Sequence, residues 1–334
     1  MGEFSMNKLK IEWMLERSHD LNNCKDLLNI LDNNFSSILI RTGSIFWDPW
    51  SIAHKYAETT KNINFMIAVN PAMVHPVYCA IQISTFQRIY GDRVSINIVS
   101  GASKTEQHIF NDLLDIESRY KRSGEFAQII KQLVITGRID SFNGQFYSLS
   151  DVDINKGSNF EIVFAGSSDN TIELANNFGS AHYYAMETLQ QYKENRHKIN
   201  VESAIKATIF CEKESSLAWD TANNIIKNID NAYIENLKKD LSSHESANQK
   251  HQQSLHNFSK TNLVIENNIW SGLGLVRGGG ITSIVGGYEE VADIITKFYQ
   301  NGLNRILIAN TPELKYANNF VNGVMPILKD RGII

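Results

Sequence analysis

The 334-residue chain has only three cysteines, Cys24, Cys79 and Cys211, far apart and with no CxxC pair. That usage supports neither a disulfide framework nor a zinc site, and it fits a reducing cytoplasm. There is no run of about 18 apolar residues, and the opening MGEFSMNKLK has no apolar signal core, so neither a membrane span nor export is expected. GEFS looks like a cloning scar; residues 1–5 are set aside and the native start is expected at Met6. Positive charge is not in excess either: the net charge is −4, which argues against nucleic acid or an anionic membrane as partner. HxxxH, HExxH and carboxylate clusters are missing, so no metal is expected.

What is present is ordinary globular material, with 43% hydrophobic and 20% charged residues, enough for a sizeable core. Short β-branched or apolar runs lie at Leu9–Trp13, Ser37–Ile40, Asn64–Val69, Val94–Val99, Glu161–Ala165, Ala181–Tyr184, Ser203–Phe210 and Arg305–Ile308. Between them, segments such as PVYCAIQISTFQRIY and DNTIELANNF space apolar residues by three and four, the period of an amphipathic helix. Eight strands alternating with helices point to a single (β/α)₈ TIM barrel over residues 6–334, with a doubly wound open sheet as the alternative. The polar stretch 231–262, rich in Ser, Gln, Asn, His and Lys, interrupts the rhythm after the seventh strand. It reads as a mobile lid over the active face or as a solvated helical hairpin.

Two stretches carry chemistry. AGSSDN follows the fifth strand and opens a helix, so Ser167, Ser168 and unpaired backbone N–H groups beyond Gly166 can hold a phosphate, while Asp169 can equally be read as a helix cap. NIVSGAS ends the fourth strand with Ser100 and Gly101, small residues at the face where barrels place their sites. A third stretch, GLGLVRGGG, sets Gly278 to Gly280 directly after Arg277. Such glycines either let backbone approach a ligand and hinge beside a lid, or form a plain loop of positive φ.

The blocks FMIAVNPAMVHPVYCAIQISTFQRIYGDRVSINIVSG, SRYKRSGEFAQIIKQL, FNGQFYSL, FAGSSDNTIELANN and NIWSGLGLVRGGGITSIVGGYEEVADII, in this order, resemble the bacterial luciferase-like flavin monooxygenases, and among them the alkanesulfonate monooxygenase branch. The resemblance covers nearly the whole chain. It implies a TIM barrel using reduced FMN, supplied by a separate NAD(P)H-dependent flavin reductase, with O₂ as co-substrate and a flavin C4a-(hydro)peroxide as oxygenating species. It also implies a homodimer or homotetramer, and FMN in preference to the deazaflavin F420 of other relatives. On this reading Gly166, Ser167, Ser168, Ser100 and Gly101 bind the cofactor.

The sequence departs from the branch at its reacting residues. Phe46 stands at the position of an active-site cysteine, and Ala185 at that of a tryptophan after the sixth strand. Lys206 and Thr208 replace an arginine and a histidine of the seventh strand; Thr311 and Glu313 replace a tyrosine and a histidine after the eighth. Arg277 and Lys206 remain as candidate catalytic cations, with ordinary salt bridging as the alternative. Phe46, Trp47, Trp50, Tyr183 and Tyr184 would line a more aromatic pocket unless they are core. The expected reaction is oxygenation of an organic small molecule other than a simple alkanesulfonate; a non-catalytic flavin-binding barrel and a sulfonate enzyme with a rebuilt site are the alternatives. His75 and His182 read as structural rather than as bases.

Overall fold

Runs of β-branched residues long enough for one strand, each followed by a helix, must bury both faces, and closing the sheet does so without leaving an edge. The computed structural model describes residues 7–16, 24–101, 104–242, 254–255, 258–276, 282–309 and 314–334. In it β1 (Lys10–Met14), β2 (Ser37–Ile40), β3 (Asn64–Val69), β4 (Val94–Ile98), β5 (Glu161–Ala165), β6 (Ala181–Ala185), β7 (Glu202–Glu212) and β8 (Arg305–Ile308) pair in parallel, each with the next. Lys10 of β1 lies opposite Arg305 of β8, which closes the ring. These are the eight runs read from the sequence, joined as a TIM barrel and not as an open sheet.

Alternation along each strand separates two cores. Ile11, Trp13, Ile38, Ile40, Phe65 and Ile67 face outward to the helices. Met14, Leu39, Met66, Val163, Tyr183 and Leu307 fill the lumen. At the strands' N-terminal end the lumen is ionic. Arg305, almost wholly buried, makes paired bonds of 2.7 and 2.8 Å to Glu161, contacts Glu202, and lies 3.5 Å from Glu12. Glu12 in turn accepts a 2.6 Å hydrogen bond from the Tyr183 hydroxyl. Burial pushes the Glu12 carboxyl above its ordinary range against the opposing pull of Arg305.

The expected helices form with recognisable starts: Asp48 caps Pro49–Ala57, His75 caps Pro76–Tyr90 through Nδ1, and Asp115 caps Ile116–Thr136. The exposed side of Lys25–Asn34 carries Asp32, whose carboxylate accepts the backbone N–H groups of Lys61, Asn62 and Ile63 and so fixes the entry to β3. Burial opposes its charge, but these three donors outweigh it and hold the carboxyl below its usual value. A depressed acid contributes stability above its unfolded pKa and loses it as pH falls through the folded one. Asp32→Ala is therefore expected to lower stability by about 1 kcal/mol at neutral pH, the modest figure reflecting partial exposure. The difference from wild type should shrink in urea titrations below about pH 4.

Two additions were not legible from periodicity. An antiparallel hairpin, Arg138–Asn143 with Ser148–Asp153, leaves the barrel after the fourth unit. Beyond the mouth, the second half of β7 pairs with Ser283–Gly287 after its first half has paired with β8. The short strands Val264–Glu266 and Ile269–Trp270 extend this ledge over a small core of Phe210, Trp270, Leu273, Leu275 and Val285. Of the polar stretch 231–262, the helix Asn231–Ser242 is seen, tied by a 2.8 Å bond from the Tyr233 hydroxyl to the Val276 carbonyl; 243–253 and 256–257 lie outside the described residues.

Candidate functional site

The C-terminal ends of the strands enclose a cavity of about 390 Å³, within the range of about 300–1,000 Å³ usual for small-molecule sites. Its two halves differ in kind. Over β3 to β6 the wall is mostly small or amide-bearing, with Ala68, Asn70, Asn97, Gly101, Ala165, Gly166 and Ala185, joined by Met66, Val99 and Tyr184. Over β7, β8, β1 and β2 it is bulky or cationic apart from Thr42: Lys206, Leu307, Met14, Leu39 and Arg41. Tyr183, held from below by Glu12, lies between them.

The small wall depends on glycine at two positions. Gly101 has φ of 75°, and a Cβ there would come within 3.2 Å of Asn70 Nδ2. Gly166, at φ 154°, would put a Cβ 2.9 Å from the Thr171 hydroxyl. Asn97, in the same lining, is 6% exposed and its Oδ1 has no hydrogen-bond partner. A buried acceptor left open in a cavity wall is a place for a ligand N–H. Asn70 spends its own Oδ1 on the Ala72 N–H at 2.9 Å.

Beside Gly166 begins the helix Asp169–Phe178, capped by Ser168 and not by Asp169, whose carboxylate reaches Lys198 at 3.3 Å. Ser168 Oγ accepts the Thr171 N–H at 3.3 Å, lies 2.8 Å from Thr171 Oγ1 and donates to Tyr120 Oη at 2.9 Å. Three hydroxyls thus meet at a helix N-terminus, a combination suited to an anion.

Of the other anticipated residues, Lys206, Tyr184 and Ala185 line the cavity. Ser167 lines a small neighbouring cavity shared with Tyr184 and Ala185. Ser100 turns toward the helices, its Oγ 3.0 Å from Ser123 Oγ. Thr208 is buried in the barrel wall, donating to the Ala309 carbonyl at 2.9 Å. Phe46 is not among the residues lining the cavity but lies against one of them, its ring 4.3 Å from the Arg41 guanidinium carbon. The aromatic pocket must be corrected at two places: Trp50 packs in the core near Phe86, and Trp47 is 69% exposed. Both follow from the helix start at Pro49, which turns Trp50 inward and leaves Trp47 in the preceding loop. Arg277, Thr311 and Glu313 lie outside the described residues. His182 is wholly buried behind the wall, and that burial pushes its pKa down to about 4, so the ring is neutral.

Arg41, Asn70, Asn97, Tyr120 and Thr171 went unanticipated. Asn97 had a signal: in VSINI, period two puts Ser95 and Asn97 on one face, and a polar face on a barrel strand points into the lumen. Tyr120 had none, since only the fold brings it to Ser168.

A family model described as luciferase-like monooxygenase matches residues 22–305. Among solved structures, EDTA monooxygenase (EmoA) from Chelativorans sp. BNC1 superimposes with a TM-score of 0.79 at 16% identity, over 98% of this chain and 95% of that one. Riboflavin lyase (RcaE), solved with modified FMN and riboflavin, gives 0.78 at 14%, over 98% and 92%. The coenzyme F420-dependent tetrahydromethanopterin reductase from Methanopyrus kandleri gives 0.71 at 15%, over 96% and 99%. At such identities the structural likeness speaks for the barrel alone, whereas the family match runs through all but the ends of the chain. This protein belongs to the luciferase-like monooxygenase family.

Proposed function

We propose that the protein is the oxygenase component of a two-component system, taking reduced FMN from a separate NAD(P)H-dependent reductase and transferring one oxygen of O₂ to an organic small molecule. The observation that carries this reading is the small-residue wall with the unpartnered Asn97 Oδ1 beside a hydroxyl cluster at a helix start. Ala68, Gly101, Ala165, Gly166 and Ala185 would leave room for a flat ring and Asn97 Oδ1 would accept from a ring N–H, while Ser168, Thr171 and Tyr120 would hold a phosphate. The bound reduced flavin supplies the electrons that activate O₂. The match to a monooxygenase family favours FMN over the F420 of the reductase neighbour.

The chain's own residues supply position, charge and exclusion of water. Lys206 places a positive charge where an oxyanion or an anionic substrate can be stabilised. Met14, Leu39 and Leu307 keep the lower cavity apolar. Arg277 is assigned a second cationic role on sequence grounds alone. Phe46, Ala185, Lys206, Thr208, Thr311 and Glu313, which replace the residues of the alkanesulfonate enzymes, argue for a substrate other than a simple alkanesulfonate.

Anaerobic titration should find FMNH₂ bound more tightly than FMN, and labelled O₂ should appear in product when a substrate panel is screened with a reductase. No affinity for either flavin form, or bound flavin without label in any product, would overturn the proposal. Ser168→Ala should weaken FMN about tenfold while leaving riboflavin nearly unchanged, because only FMN has the phosphate. The same substitution should lower stability by about 1 kcal/mol through the lost cap. Equal weakening of both flavins would move the phosphate elsewhere.

A further inference from the structure

With the small wall given to the flavin, the facing half of the cavity is what a substrate meets, so a substrate class read from that half rests on the flavin assignment. Its lower part is apolar, formed by Met14, Leu39 and Leu307, and above them stands Arg41. Strand alternation makes this arrangement: Leu39 and Arg41 are two residues apart at the end of β2 and share one face. Arg41 is also held. Its guanidinium stacks over Phe46 at 4.3 Å, and its Nη1 lies 3.4 Å from Glu16. Glu16 does not line the cavity. The one carboxylate that does, Glu106, accepts the N–H of Ser44 at 2.7 Å and its hydroxyl at 3.2 Å, clasping the loops that follow β2 and β4. Among the described lining residues, the charges are thus two cations, Arg41 and Lys206, and one carboxylate, Glu106, which is engaged by Ser44.

We propose that the substrate is an amphiphilic acid, an apolar chain or ring ending in a carboxylate, with the apolar part on Met14, Leu39 and Leu307 and the carboxylate on Arg41. A planar guanidinium matches a carboxylate edge to edge, and an aromatic ring beneath it fixes the plane before the ligand arrives. Arg41 is a specificity-determining residue on this assignment, and Phe46 acts through it as a positioning residue. That gives the aromatic ring at the position of the branch's cysteine a use outside the reacting centre.

The test is calorimetric binding of octanoate, octan-1-ol and octylamine to the purified protein, with and without FMN, in wild type, Arg41→Gln and Arg41→Lys. Octanoate should bind at least about tenfold more tightly than octanol; Arg41→Gln should remove most of that preference with little effect on octanol, and Arg41→Lys should restore part of it. Octanol or octylamine binding as tightly as octanoate would overturn the proposal, as would Arg41→Gln weakening acid and alcohol alike, or no binding of any probe. A parallel flavin titration separates the two readings. Flavin affinity without acid preference would leave the monooxygenase and remove the acid substrate, whereas acid preference without flavin affinity would keep Arg41 as an acid-binding residue and remove the monooxygenase.

Discussion

Arg305→Met is expected to lose about 3–5 kcal/mol of stability near neutral pH, the range found when one partner of a buried ion cluster is removed. Arg305 is the cation on which Glu12, Glu161 and Glu202 converge, and it is 2% exposed. Without it the fully buried Glu12 keeps its bond from Tyr183 but loses this cation. Two opposite shifts give the same pH dependence. Glu161, although partly desolvated, is held below its ordinary range by Arg305 and Lys10. Its contribution is present above its unfolded pKa and falls away on acidification, so the variant forfeits it mainly at neutral pH. Glu12 is raised by burial, so its contribution is full below its unfolded pKa and is lost as pH rises through the folded one. Removing Arg305 deepens that second loss. The deficit of the variant should therefore be large in urea unfolding near pH 8 and much smaller near about pH 4. The double variant with Glu12→Leu should recover part of it, since no unpaired carboxyl is then left at the centre. A deficit below about 1 kcal/mol at pH 8, or one that grows on acidification, would show that the cluster is not the anchor of the barrel's lower end.

The barrel was legible because its strands are short, β-branched and separated by helices of clear period, and each such run can satisfy its backbone only by pairing with the next. Ser283–Gly287 is not legible as a strand because SIVGG ends in two glycines and follows a glycine-rich stretch, so its strand character comes from the half of β7 that β8 leaves uncovered. Local spacing located Gly101, Gly166 and Ser168, which sit where a strand gives way to a loop or helix. It could not locate Arg41 or Tyr120, whose relevance arises only when β2 closes beside β1 and the helix Ile116–Thr136 packs against the start of Asp169–Phe178. Aromatic content misled for the same reason. Trp50 and Tyr183 are equally aromatic letters, but one falls in the layer between helices and strands and the other inside the lumen.

Gly101→Val should abolish useful flavin binding, with a loss of about 100-fold or more, equivalent to about 2.7 kcal/mol. Two effects have to be kept apart. At φ of 75° any side chain strains the backbone by about 1–2 kcal/mol, which lowers stability without reference to a ligand. In addition, a Cβ at Gly101 lies 3.2 Å from Asn70 Nδ2, and a branched side chain would project from a residue that lines the cavity. Gly91 separates them: it has φ of 82° at the end of Pro76–Tyr90, and a Cβ there meets nothing within 4 Å. Gly91→Val should therefore also lower thermal stability, through backbone strain alone, and leave flavin affinity unchanged. If both variants bind flavin like wild type, the ring does not lie against the β3 to β6 wall. It would then have to occupy the half bounded by Lys206, Leu307, Met14 and Leu39, and Asn97 Oδ1 would need another donor. If both lose flavin equally, the loss reports unfolding and not occlusion. Only loss at Gly101 alone, with both variants folded, puts the cofactor where the small residues leave room for it.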